Sequence, residues 1–437
     1  MHLVEAANQR FLLDCGLHRG PREEARAINR HFPFDPDTID AVVLSHAHVD
    51  HCGNLPNLVR QGFQRPIYCT PATRDLIALM LADAARIQEE DAAVAEVIGH
   101  RRAAARVPLY IRPDAAVTVD QCVTIPYGRA VDIGPGVQLQ FTDAGHILGS
   151  AMVVLTIRQA GRTHRITFTG DVGRRGLPFL SEASPIPAAD LVICESTYGG
   201  RVHEPMERTA ARMSDVVRRT VARGGKVLIP AFSLGRTQIV LHYLRRWMRE
   251  GLLPHVPIFV DSPLAHAISE VYGRHAPQLE APGSEDAPVY YLTHHDESHA
   301  VSTGPEPCII VASGGMCDGG RIIHHLRHHI DDPRSALVLV SYQAPHTLGH
   351  RLLERGPTVR FHGRRWNKWI EVVELNGFSG HADQEDFLAL LGPALAGTGR
   401  VRLVHGEVTQ AEALAVAFRQ QGFRDVAVPE PAETVAL

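Results

Sequence analysis

Short apolar runs that stop at polar or glycine-containing turns recur along the chain, and many are separated by helical patterns. Phe11-Leu12-Leu13 stops at Asp14, Ala41-Val42-Val43-Leu44 at Ser45-His46, and Leu191-Val192-Ile193-Cys194 at Glu195. Runs of this length, bounded by turn signals, predict strands at 10–14, 41–45, 66–69, 137–142, 151–158, 165–169 and 191–195. The stretch 71–106 has few breakers and apolar positions at Leu76, Leu79, Met80, Ile87, Val94 and Ile98, which predicts one long helix or two shorter ones.

After Glu195 the alternation restarts. Helices at 207–222, 237–250, 264–274, 321–330 and 347–354 interleave with strands at 226–230, 257–261, 308–312 and 336–341, a succession of strand–helix units with its own core. A closing section holds a strand at 371–375, a His-containing loop at 377–383, a helix at 384–396, a strand at 400–404 and a helix at 410–420. The whole reads as α/β, without repeats or low-complexity tracts.

Composition narrows the function. Lys plus Arg is 44 against 48 for Asp plus Glu, a net charge of −4, so any site for a polyanion must be local. No apolar run approaches the roughly 18 residues of a membrane span, so no membrane partner is expected. The seven cysteines are odd in number and form no CxxC pair, against both a disulfide framework and a thiolate zinc knuckle. A reducing cytoplasm is the expected location, and no signal-peptide pattern opens the chain. The 26 histidines draw attention because neutral imidazole is a frequent metal ligand.

The sharpest chemical signal is Ser45-His46-Ala47-His48-Val49-Asp50-His51 directly after an apolar run. A strand-to-helix turn can fan such side chains toward one point, and imidazole with carboxylate suits Zn²⁺, whereas iron–sulfur and Cu(I) sites ask for soft thiolates. Asp14, His146 and Asp171 recur at the ends of other predicted strands. Each alone reads as an ordinary turn residue; their occurrence together, in this order behind the His-rich loop, favours a shared chemical role.

That order, Asp14, His46-x-His48-x-Asp50-His51, His146, Asp171, resembles the metallo-β-lactamase superfamily. The resemblance implies an αββα sandwich with two Zn²⁺ per chain. His46, His48 and His146 would hold one ion, Asp50 and His51 the second, and Asp171 would bridge them, with Asp14 orienting the ligand loop. The last metal histidine is best matched by His405, far along the chain. Three segments, Cys194-Glu195-Ser196-Thr197-Tyr198-Gly199, Phe378-Ser379-Gly380-His381-Ala382-Asp383 and Val404-His405-Gly406-Glu407, look like the motifs of the β-CASP branch, a nucleic-acid-processing group. Gly224 to Phe232, Gly235-Arg236-Thr237-Gln238, Asp261-Ser262-Pro263 and Ser313-Gly314-Gly315-Met316 are similar to the stand-alone prokaryotic ribonucleases related to the cleavage and polyadenylation endonuclease. The resemblance implies a metallo-β-lactamase part over 1–199, an inserted α/β β-CASP domain over 200–378, and a return over 379–437. Relatives begin with an EVTGS-type strand and turn, whereas this chain starts inside that hairpin at His2-Leu3-Val4, as a displaced start codon or a truncation would leave it; the first sheet edge is thereby put in doubt.

The implied activity is zinc-dependent hydrolysis of phosphodiester bonds in single-stranded RNA, endonucleolytic, in RNA processing or decay. His405 stands where DNA-processing relatives carry valine. Asp50, Glu195 and His381 form the implied catalytic set, His381 protonating the departing 3′ oxygen with Glu195 favouring its charged form. Arg236, the turn Ser313-Gly314-Gly315 and Arg321 are the expected phosphate contacts, in a cleft between the domains. A DNA nuclease or 5′ exonuclease of the same branch, and a thioester or lactam hydrolase, are the competing readings; a homodimer is left open. His324, His325, His328 and His329 are expected on a solvated helix face, because no carboxylate completes a pair at helical spacing, and His294, His295 and His299 are treated alike. Trp366 and Trp369 could stack bases or cover a domain joint.

Overall fold

The computed structural model describes residues 1–18, 20, 22–97, 107–276 and 288–437. Strands β1 (His2–Ala6), β2 (Gln9–Leu13), β3 (Ala41–Val43), β4 (Ile67–Cys69) and β5 (Cys122–Thr124) form a first sheet in that order, antiparallel at β1–β2 and parallel beyond. All five residues of β1 pair with β2, so the doubted edge is formed. Next, β6 (Ala130–Gly134), β7 (Val137–Asp143), β8 (Ala151–Gln159) and β9 (Arg162–Phe168) make an antiparallel meander, and β10 (Leu191–Glu195) joins β9 in parallel.

A third sheet follows, entirely parallel. It is built from β11 (Val227–Ala231), β12 (Ile258–Asp261), β13 (Val289–Tyr291), β14 (Ile309–Ser313) and β15 (Ala336–Leu339). A hairpin of β16 (Thr358–Phe361) and β17 (Arg364–Asn367) intervenes before β18 (Glu371–Glu374) completes the order β13-β12-β14-β11-β15-β18. Finally β19 (Arg400–Val404) and β20 (Asp425–Ala427) return to the meander, giving a seven-stranded sheet β20-β19-β10-β9-β8-β7-β6. The chain divides into two compact units, Met1–Val202 with His381–Leu437, and His203–Gly380.

Period-two alternation builds the first unit. Phe11, Leu13 and Val43 of the first sheet meet Leu139, Phe141, Val153, Leu155, Ile166 and Phe168 of the second in one buried cluster. On the other face of the seven-stranded sheet, Val192, Cys194, Val401 and Leu403 are covered by Phe387, Leu390 and Leu391 of helix Gln384–Leu391 and by Leu414, Ala415 and Phe418 of helix Val408–Gln421. Helices Leu55–Arg60, Pro71–Val97 and Arg112–Asp120 accompany the first sheet, which completes an αββα sandwich. In the second unit β11 and β15, and all but the last residue of β14, are buried on both faces, as the centre of a parallel sheet requires. Leu228, Ile310, Ala312, Leu337 and Leu339 pack on Ile322, Ile323, Leu326 and Ile330.

Two expectations change. Helix Pro71–Val97 buries Leu76, Ile77, Leu81 and Ala85, but Ile87 and Val94 are exposed, so the apolar face ends before the helix does; Ile98 and the rest of 98–106 lie outside the described residues. Helix Ile322–His329 does not present four solvated histidines. His325 and His329 are buried, His325 accompanying Ile322 and Leu326 on the face turned to the core.

Candidate metal centre

The ligand loop starts where β3 ends, and its backbone is pinned from the neighbouring strand. Asp14, just beyond β2, takes the left-handed conformation at φ 57°, and its amide donates to Val43 O. Asp14 Oδ1 accepts from the Ser45 amide (2.7 Å), while Oδ2 accepts from Ser45 Oγ (2.7 Å) and His51 Nδ1 (2.6 Å). Ser45 Oγ in turn accepts from His46 Nδ1 at 3.0 Å. One carboxylate therefore fixes the tautomers of two imidazoles and turns both Nε2 atoms to the centre. Burial works against its charge, yet the His51 imidazole and the bonds it accepts hold Asp14 below the usual carboxylate range. Gly16 makes the approach possible, since a Cβ there would sit 1.6 Å from the Asp50 carbonyl oxygen.

The other ligand-type residues arrive on loops at the ends of β7, β9 and β19. His146 is held by its amide on Ser150 Oγ (3.0 Å). Asp171 follows Gly170, whose φ of 53° brings it against Ser45. His405 is again left-handed at φ 50°, with its carbonyl accepting from Thr197 Oγ1 at 2.9 Å.

The result is a convergence around Asp171. Its Oδ2 lies 3.4 Å from His46 Nε2 and 3.7 Å from His146 Nε2; its Oδ1 lies 3.2 Å from His51 Nε2 and 3.3 Å from His405 Nδ1. His48 Nδ1 is 3.1 Å from His46 Nε2 and 3.3 Å from His146 Nε2, and His51 Nε2 is 3.2 Å from His405 Nε2. Asp50 Oδ2 is 3.8 Å from His405 Nε2. Among the described residues that could hold an ion are His46, His48, His146 with Asp171, and Asp50, His51 with His405.

These residues fit divalent cations on three counts. Nitrogens at 2.0–2.1 Å around a tetrahedral Zn²⁺ stand about 3.3 Å apart, the spacing seen within the first set. Asp171 Oδ1 is buried and accepts no hydrogen bond among the described residues. The electrostatics agree. Burial keeps His46 and His146 below the ordinary imidazole range and takes His48 down to about 3, so these nitrogens present lone pairs at neutral pH. Around the second set burial is outweighed by Asp171, which pushes His405 up to about 9, the mark of a place that draws positive charge.

Beside the ligands stands a pair. Glu195, fully buried at the end of β10, accepts through Oε1 from the Val172 amide (2.7 Å) and through Oε2 from the Thr197 amide (3.1 Å). Its Oε1 also meets His381 Nδ1 at 3.1 Å. Burial opposes a charged His381, but Glu195 outweighs it and raises the pKa. The His381 ring is 4.4 Å from that of His146 and faces Tyr198 at 6.2 Å.

The expected phosphate contacts belong to the other unit, where both arginines have partners. Arg236 Nη1 donates to the carbonyls of Val340 (2.6 Å) and Phe378. Arg321 Nη1 lies 3.4 Å from the buried Asp261 carboxylate, and its amide donates to Ser313 Oγ at 3.2 Å. Both guanidinium groups thus brace the fold. Gly314 at φ 108° and Gly315, stacked on Phe232, make a close-packed turn. Trp366 stacks on Phe361 at 5.3 Å beneath the Arg364 guanidinium, while Trp369 is exposed. Ser45 and Thr197 also support the site, and the signal for them in the sequence is a hydroxyl beside His46 and beside Glu195.

Three family models match the chain: a beta-lactamase superfamily domain over 9–222, a Beta-Casp domain over 237–352 and a Zn-dependent metallo-hydrolase RNA specificity domain over 370–429. A Thermus thermophilus protein named as a ribonuclease is 38% identical over 431 residues, covering 94% of this chain and 91% of its own. The chain belongs to the β-CASP branch of the metallo-β-lactamase superfamily. Transcription termination factor FttA of Methanosarcina mazei is 31% identical over 93% of this chain, which spans 64% of that relative's length. The Pyrococcus horikoshii FttA is 33% identical over 91% of this chain, which spans 62% of it. With the family comes metal binding, and the His and Asp groups described above could hold an ion.

Proposed function

We propose that the protein is a metal-dependent ribonuclease that hydrolyses phosphodiester bonds of single-stranded RNA at internal positions, using two Zn²⁺ per chain. The observation that carries the reading is the ring of imidazole nitrogens around the Asp171 carboxylate, with the Glu195–His381 pair beside it. The RNA specificity model over 370–429 and the relative named as a ribonuclease supply the substrate class.

His46, His48 and His146 would hold one ion, Asp50, His51 and His405 the other, and Asp171 would be shared. Such a pair, when bound, lowers the pKa of water and screens charge on phosphoryl oxygens. The chain's own residues do the rest. Asp14 and Ser45 keep His46 and His51 aimed. Glu195 holds His381 by Nδ1, and His381 would carry a proton to the departing 3′ oxygen. The turn Ser313-Gly314-Gly315 contributes phosphate contact in this reading, with Arg236 and Arg321 holding its surroundings in shape. No described helix is long and apolar enough to cross a membrane. All seven cysteines are free thiols, which supports a reducing cytoplasm as the location.

End-labelled single-stranded RNA and matched DNA, incubated with wild type, Asp50→Ala and His381→Ala, test the reading. Internal cuts in RNA with DNA spared are expected. Asp50→Ala should lose activity together with one Zn²⁺, whereas His381→Ala should keep both ions and lose about 100-fold or more in turnover. Stepwise release from the 5′ end, equal cleavage of DNA, or comparable hydrolysis of a thioester or lactam would each replace this assignment with another.

A further inference from the structure

Outside the catalytic centre, three imidazoles that the sequence keeps apart meet on one face of the His203–Gly380 unit. His324 and His328 lie four residues apart on helix Ile322–His329, and His299 comes from helix His295–Thr303. Their ring centroids are separated by 4.8 Å (His324–His328), 5.5 Å (His299–His328) and 5.9 Å (His299–His324). One nitrogen of each lies within 4.8 Å of the other two. We infer that His299, His324 and His328 form a separate metal site that takes a first-row divalent cation such as Zn²⁺.

Three observations carry this. Two histidines at i and i+4 point the same way from a helix, the arrangement by which helical zinc sites supply two ligands. The third imidazole reaches them from a helix fastened alongside. Ser302, one turn beyond His299, shares a 2.6 Å hydrogen bond with His325 Nδ1, and His325, next to His324, is fully buried with its Nε2 2.9 Å from Asp261 Oδ2. The backbone positions of the trio are thereby set by a buried polar network rather than by the exposed rings. Next, His324 Nε2 is buried and has no hydrogen-bond partner among the described residues, a condition a bound cation relieves. His299 and His328 are exposed, which gives an ion a route in. Three imidazoles leave a fourth tetrahedral position for water. A cation here would clasp the two helices.

Wild type, His299→Gln, His328→Gln and the double variant, all full length, are equilibrated against buffers of stepped free Zn²⁺, and bound zinc per chain is measured by elemental analysis. Wild type should take up one equivalent more than the double variant. Each single variant should weaken that equivalent by at least the roughly 10- to 100-fold that loss of an outer partner of a ligand costs. RNA cleavage in the same samples reports separately on the catalytic centre. Should a variant fold poorly, hydrogen exchange of the wild type decides: amides of 295–303 and 322–329 should gain protection as free Zn²⁺ rises through the range of the extra equivalent. The same zinc content and affinity in all four proteins, or no gain in protection in the wild type, would overturn the site.

Discussion

Asp14 illustrates how much one side chain beside a ligand set can control. It holds His51 directly and His46 through Ser45, from a left-handed backbone that asparagine also tolerates. Asp14→Asn should therefore fold but lose the charge and one acceptor, loosening both imidazoles. Metal affinity is expected to fall about 10- to 100-fold, read by zinc retained against a chelator series, with RNA cleavage falling in parallel; unchanged retention would separate Asp14 from the ligand geometry. Ser45→Ala should do less, since Asp14 keeps its direct bond to His51. At this scale the sequence was legible where ligands are contiguous. His46, His48, Asp50 and His51 announce themselves in one loop, whereas His146, Asp171 and His405 became readable only through the order of motifs. His299 beside His324 and His328 was not readable at all, because contact between two helices leaves no trace in the spacing of residues.

Helix starts and strand ends in the second unit repay the same scrutiny. The segment Asp261-Ser262-Pro263 closes β12 and opens helix Pro263–His275, with Ser262 Oγ accepting from the Ala265 amide and proline at the first turn. Asp261 faces inward, accepting from Ser298 Oγ at 2.6 Å and meeting His325 Nε2 at 2.9 Å and Arg321 at 3.4 Å. Burial opposes its charge, but the bonds from His325 and Ser298 and the nearby Arg321 outweigh it and lower its pKa. Asp261→Ala leaves these donors unanswered and should cost about 3 kcal/mol at neutral pH. A carboxylate with a depressed folded pKa contributes its stability above its unfolded pKa, about 3.9, and loses it as pH falls through the lower folded value. The gap between wild type and variant in urea denaturation should thus be constant from about pH 6 to 8 and narrow below about pH 4; a gap that stays constant in acid would assign the loss to packing. Elements were legible in proportion to their burial. β10, β11 and β14 are nearly continuous apolar runs, while β5, β6 and β13 are three- to five-residue edge or near-edge strands with exposed positions, and helix Arg22–Arg30 is mostly charged, so none of these stands out from a loop.

Across the first unit, the ligand sets lie where two sheets end. His46 to His51 follow β3 of the first sheet; His146, Asp171 and His405 follow β7, β9 and β19 of the second. Because β7 and β9 are both antiparallel to β8, and β10 and β19 run parallel to β9, the C-terminal ends of all four strands share one edge. A cation held between His46 and His146 would therefore tie one sheet to the other at this edge. The sandwich has its own core away from that edge, centred on Phe141, Leu155 and Phe168. Removing metal should consequently loosen the edge and spare the centre. A ligand present at about 1,000 times its dissociation constant contributes about 4 kcal/mol to the state that binds it, and that contribution falls on the loops that carry the ligands. Hydrogen exchange with and without chelator should show faster exchange at 45–52, 144–147, 170–173 and 405–406, with little change in the middle of β8 and β9. A uniform loss of protection would mean that the sheets need the cation in order to fold, and no change at the loops would remove metal from this edge.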